Sequence, residues 1–102
     1  NKKVRLSTDK LIKDGHPSFS KTDENLMVTD TYPNPNDNFK EELILFDTSK
    51  NEIVSQEKLN HIEAFASSGV RCDLHPKWSH DGKYICVDTL DRGNRSMYVY
   101  GV

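Results

Sequence analysis

Two His-Pro pairs, His16-Pro17 and His75-Pro76, each open a segment that ends on Asp-Thr, at Asp30-Thr31 and Asp88-Thr89. Imidazole and carboxylate together suit a divalent ion such as Mn, Zn or Fe. His16 and His75 are therefore the candidate metal ligands, and a divalent metal such as Mn is the candidate cofactor. The stretch before the second pair adds Arg71 and Asp73, with His61 earlier in the same loop. A guanidinium pairs bidentately with a carboxylate, so Arg71 suits a sugar acid. The candidate ligand-binding set is His16, Asp30, Thr31, Arg71, Asp73, His75, Asp88 and Thr89. Each of these has a plainer role open to it. A histidine before proline can cap a hairpin by hydrogen bonding to Asp or backbone. Arg71 and Asp73 can form a local ion pair that orders their loop.

These groups meet only if the chain brings them together. Residues 16–31 and 75–89 align from end to end, with one extra residue in the turn of the first copy. Phe19 matches Trp78, and Ser20 matches Ser79. In each copy a short strand (17–20 or 76–79) turns into a second (26–31 or 83–89). His80-Asp81-Gly82 supplies a turn with glycine at the left-handed position. In the first copy Asn25 is the expected left-handed residue. Third strands follow at 42–47 and 96–100, and the first copy adds a fourth at 52–58. No helix is expected, and residues 6–14 read as a loop. A hairpin returns to its start, so His16 should neighbour Asp30 and Thr31, and His75 should neighbour Asp88 and Thr89. Both clusters should lie at one end of the sheets, with loops 7–15, 32–39 and 59–74.

Four antiparallel strands per repeat describe a propeller blade. The expected fold is all-β: antiparallel four-stranded blades forming part of a β-propeller. The expected organisation is 1–15, an outer strand and loop from a preceding blade; 16–58, blade one; 59–74, a connecting loop; and 75–102, blade two without its fourth strand. Lys3-Val4-Arg5-Leu6 would be that outer strand, or would pair with strand 96–101. The repeat period exceeds the roughly 40–50 residues of common blades, and the long loops account for the excess. Phe19 and Trp78 should pack between blades.

Pro76-Lys77-Trp78-Ser79-His80-Asp81-Gly82-Lys83-Tyr84-Ile85 resembles the TolB-like β-propeller repeat, and 93–100 resembles its third strand. Arg71-Cys72-Asp73-Leu74-His75-Pro76 is similar to propellers of bacterial polysaccharide enzymes such as oligogalacturonate lyase. The resemblance covers 16–31, 40–58 and 75–101. The first copy departs from it, with Phe19 for Trp and no Asp-Gly turn. It implies a bacterial protein in a periplasmic or extracellular setting. In the resembled lyases channel histidines hold a metal, and a base attacks beside a uronate carboxylate. Only the His-Pro positions carry over. A further His or a Gln to complete a metal site is not evident.

Composition narrows the field. Of 102 residues, 34% are hydrophobic and 29% charged, which is lean for a self-sufficient core. A unit that buries one face against neighbours would be equally lean. A net charge of −2 argues against nucleic acid, and no apolar run reaches a membrane span. The chain starts Asn-Lys-Lys-Val-Arg, without initiator Met or signal peptide, so its start assigns no location. Cys72 and Cys86 are expected to be free thiols, Cys86 in the core. No serine-nucleophile elbow, phosphate loop or His-Glu-x-x-His occurs. His80, Asp23 and Glu24 should be solvated turn residues, and Asp37 lacks calcium-loop spacing.

The leading expectation is a binding module for a saccharide or other polar ligand at the channel mouth. The alternatives are a metal-dependent polysaccharide lyase-like enzyme and a protein-interaction scaffold. Further blades, from the same chain or from a homo-oligomer, are expected as partners.

Overall fold

A computed structural model describes residue 2, residues 9–66 and residues 69–102. The expected strand at Lys3–Leu6 and the loop residues Ser67 and Ser68 lie outside the described residues. Residues 9–15 hold no regular element.

Among the described residues, the alternating and β-branched runs form seven strands in two antiparallel sheets. Sheet one orders β1 (Ser18–Phe19), β2 (Leu26–Asp30), β3 (Glu41–Asp47) and β4 (Glu52–Leu59) in sequence. Sheet two orders β5 (Lys77–Trp78), β6 (Tyr84–Thr89) and β7 (Ser96–Gly101). The all-β, antiparallel expectation is met, with four strands in one sheet and three in the other. Among the described residues, helical structure is confined to two three-residue 3₁₀ turns, Pro35–Asp37 and Glu63–Phe65.

The repeat survives as register. Ser18 pairs with Val28 as Lys77 pairs with Cys86, and Phe19 pairs with Met27 as Trp78 pairs with Ile85. The turns differ in chemistry. Gly82 takes φ +72°, as expected. Asn25 does not adopt the left-handed conformation, which among non-glycine residues falls at Asn38, Phe39, Asn51 and His75. Side chains hold the first turn instead: the Thr22 and Asp23 amides donate to Ser20 Oγ, and the Asn25 amide donates to Asp23 Oδ1.

The core lies between the sheets. Val28, Leu43 and Leu59 from sheet one meet Leu74, Trp78, Ile85 and Val87. Trp78 also donates Nε1–H to the Ser18 carbonyl at 2.9 Å, tying the two short strands β1 and β5 together. Its expected packing role is met, but Phe19 is 44% exposed, on the side of sheet one that faces away from sheet two. The cysteines are free, though Cys72 is the buried thiol and Cys86 only half-buried. Strand alternation explains this, because Cys86 points away from the core side that Ile85 and Val87 occupy.

Candidate functional site

The site grows from one carboxylate. Asp30 ends β2 on the face turned toward sheet two, and it is 1% exposed. Its Oδ1 accepts the His16 amide at 2.6 Å, and its Oδ2 accepts the His75 amide at 3.0 Å. His16 Nδ1 lies 3.0 and 3.1 Å from the two oxygens. A carboxylate only accepts, so His16 Nδ1 carries the proton and donates. The neutral ring then keeps its Nε2 lone pair for a ligand. One buried side chain thus fixes both His-Pro segments and sets one imidazole's tautomer.

His75 reaches the site by a break in strand alternation. By register it stands opposite Asp88, whose side chain points away from sheet one. His75 adopts φ +45°, a conformation that costs a non-glycine residue about 1–3 kcal/mol. Its ring lies 4.0 Å from the His16 ring, centroid to centroid. The Leu74 carbonyl still accepts the Asp88 amide, so the strands stay joined while the exposed imidazole stands beside the His16 ring.

Asp73 completes a triad of donors. One ligand atom each from His16, Asp73 and His75 lies within 4.8 Å of the others. Metal–nitrogen and metal–oxygen bonds of about 2.0–2.2 Å bring donors on one ion to roughly 3–4 Å. Small side-chain rotations therefore close the set, and the imidazole–carboxylate chemistry fits a divalent transition ion. Arg71 donates Nε–H and one Nη–H to the two Asp73 oxygens at 2.7 and 3.1 Å. Its guanidinium stacks 4.7 Å over the Tyr32 ring, which meets His16 edge-on at 5.5 Å. The local ion pair considered for Arg71 is thus formed, and Asp73 holds the arginine well charged.

Glu41, at the start of β3, is fully buried, and neither carboxylate oxygen has a hydrogen-bond partner among the described residues. Burial pushes its carboxyl up to about 8; negative charge on Asp73 and Asp30 adds to this, and Arg71 opposes it. Sequence reasoning missed Glu41 and Tyr32. Glu41 stands in a Glu-Glu pair that reads as a solvated strand start, and Tyr32 in a Pro/Asn loop.

Other sequence candidates stand apart. Asp88 is exposed, on the side of sheet two away from His16. The expected His75–Asp88 cluster is replaced by one in which Asp30 serves both histidines. Thr31 is buried, and its Oγ1 accepts the Glu42 amide. Thr89 is buried too, and its Oγ1 accepts the Asp91 amide. Both hydroxyls are turn fasteners. His61 is 9% exposed and also structural: its Nε2 accepts the Cys72 amide, and Nδ1 faces the Ile62 carbonyl at 3.0 Å. Asp37 is held by Lys58 at 2.6 Å.

Compared with known proteins, the chain matches no family model, no curated sequence and no solved structure. No helix among the described residues is long and apolar enough to cross a membrane.

Proposed function

We propose that this chain forms two consecutive blades of a β-propeller and binds a carboxylate-bearing saccharide. A divalent ion such as Mn²⁺ would be held by His16, Asp73 and His75. The observation that carries this reading is the convergence of those three donors from two separate segments, anchored by Asp30. A buried carboxylate and a left-handed His75 are costly means to a hairpin cap. They are reasonable means of holding two imidazoles side by side. Three protein ligands leave coordination positions for oxygens of a bound molecule. The ion would supply the charge that attracts a uronate carboxylate. Arg71, stacked on the Tyr32 ring, keeps positive charge at the rim. Glu41, the carboxyl beside the site, is fully buried and its carboxyl is pushed up to about 8, so it is not placed to act as a base on a bound saccharide at neutral pH.

Calorimetric titration with a uronate oligosaccharide, in Mn²⁺ and in chelator, tests this. Saccharide binding that needs the metal and is lost in His75→Ala is the expected result. Equal binding in chelator, or none in either condition, would overturn the proposal. Release of unsaturated uronate would move the assignment to the lyase.

A further inference from the structure

Arg71 and the donor triad make competing claims on one carboxylate. Arg71 donates Nε–H to Asp73 Oδ1 and an Nη–H to Asp73 Oδ2, so its fork engages both oxygens. The same carboxylate is the anionic member of the set with His16 and His75. A divalent ion on that set puts a second cationic centre on Asp73, close to the guanidinium, and like charges so near repel. Asp30 is not free to take the place of Asp73, because its oxygens already accept the His16 and His75 amides.

Arg71 has a second hold that does not involve Asp73. Its guanidinium lies 4.7 Å over the Tyr32 ring. Release of Asp73 would therefore leave the guanidinium at the rim with its fork open. A fork that fits one carboxylate fits another. Charge points the same way. With neutral imidazoles and a protonated Glu41, the charges of Asp30, Asp73 and Arg71 leave the site net negative by one. A divalent ion makes it net positive by one, which a monoanionic ligand neutralises.

We propose that Asp73 is a two-position switch: it fills the Arg71 fork when no ion is bound, and it passes to the ion on metal binding, opening the fork to the ligand's carboxylate. Asp73 is then an internal occupant of the ligand's own carboxylate site. Metal and carboxylate bind with positive coupling, each tightening the other. This inference rests on the metal and saccharide reading above and adds the link between the two.

Mn²⁺ titration, followed by the electron paramagnetic resonance of the free ion, tests it in the wild type and in Arg71→Met. Each chain is titrated without sugar, with excess galacturonate and with excess galactose, and a protein-free titration corrects for ion held by the sugar. Arg71 is exposed, so the variant should fold, and circular dichroism checks that it does. In the wild type galacturonate should tighten Mn²⁺ binding about fivefold or more, and galactose should not. Without sugar, Arg71→Met should bind Mn²⁺ about two- to fivefold more tightly than the wild type, the range that an exposed ion pair contributes. Its coupling to galacturonate should largely vanish. An ion pair that only orders the loop predicts the opposite sign, because a loosened Asp73 is a poorer ligand. An Arg71→Met chain that binds Mn²⁺ no more tightly than the wild type, or that keeps the galacturonate coupling, would overturn the switch while the metal site stands. No Mn²⁺ binding by either chain would remove the site and the switch together.

Discussion

Asp30 and Asp88 occupy matching positions in the two repeats, yet substituting them should have very unequal consequences. Asp30 is 1% exposed and accepts the amides of His16 and His75 together with His16 Nδ1–H. Asparagine offers one oxygen and one NH₂ group, so whichever way it turns, a donor faces a donor. The substitution removes at least one charge-assisted bond, worth about 1.5–3 kcal/mol, and leaves a shielded N–H unsatisfied, at about 1–3 kcal/mol. These terms overlap, and a net loss of about 2–4 kcal/mol is expected for Asp30→Asn. That is a large share of the roughly 5–15 kcal/mol of a typical domain. With a urea slope of about 1–2 kcal/mol per molar, the midpoint should fall by roughly 1–3 M. Asp88→Asn, at an exposed position, should stay within about 0.5 kcal/mol. Both unfolding curves should be recorded at low protein concentration, where association adds nothing. Equal effects of the two substitutions would refute the assignment of Asp30 as the common anchor.

Glu41 should give stability a pH dependence of unusual sign. Its folded pKa is raised from 4.5 to about 8, so between those values the folded state holds a proton that the unfolded state has released. Its contribution is complete below about pH 4.5 and is lost as pH rises through about 8, on the order of a few kcal/mol in all. Denaturation at pH 6 and pH 9 should show the wild type weakening, whereas Glu41→Gln should largely flatten this fall. A Glu41→Gln chain that weakens as much as the wild type over that range would contradict the assignment. Trp78→Phe removes the bond from Nε1 to the Ser18 carbonyl and should cost about 1–2 kcal/mol, with further loss from the smaller ring. A urea midpoint unchanged in that variant would mean that the link between β1 and β5 contributes little.

Much of the fold was legible because the repeat was. Matching His-Pro starts, matching Asp-Thr ends and a Gly82 turn placed both hairpins within a residue or two of their observed bounds. The charged strand Glu52–Leu59 and the apolar strand Glu41–Asp47 were readable from composition. What the repeat could not show was where its two copies cease to be equivalent. Asp30 and Asp88 are identical in type, but one faces a neighbouring sheet and the other faces water. A pattern of period two cannot tell which face is covered until a second sheet is placed. The same blindness put Cys86 rather than Cys72 in the core. His16, Asp73, His75 and Arg71 were named from residue type and from hairpin geometry that puts their segments at one end, and they do meet. Their arrangement depends on a positive φ at His75, which precedes a proline and carries no sequence signal for it. Glu41 was invisible because a burial-raised carboxyl arises from tertiary packing around it.

The most direct test of the proposed site is equilibrium binding of Mn²⁺, followed by the electron paramagnetic resonance of the free ion, in the wild type and in His16→Ala, Asp73→Ala and His75→Ala. The wild type should bind one ion per chain, and each substitution should weaken binding at least tenfold while the circular dichroism spectrum is retained. No specific binding by the wild type, or binding unchanged by loss of His75, would contradict a metal centre at the meeting of the two His-Pro segments.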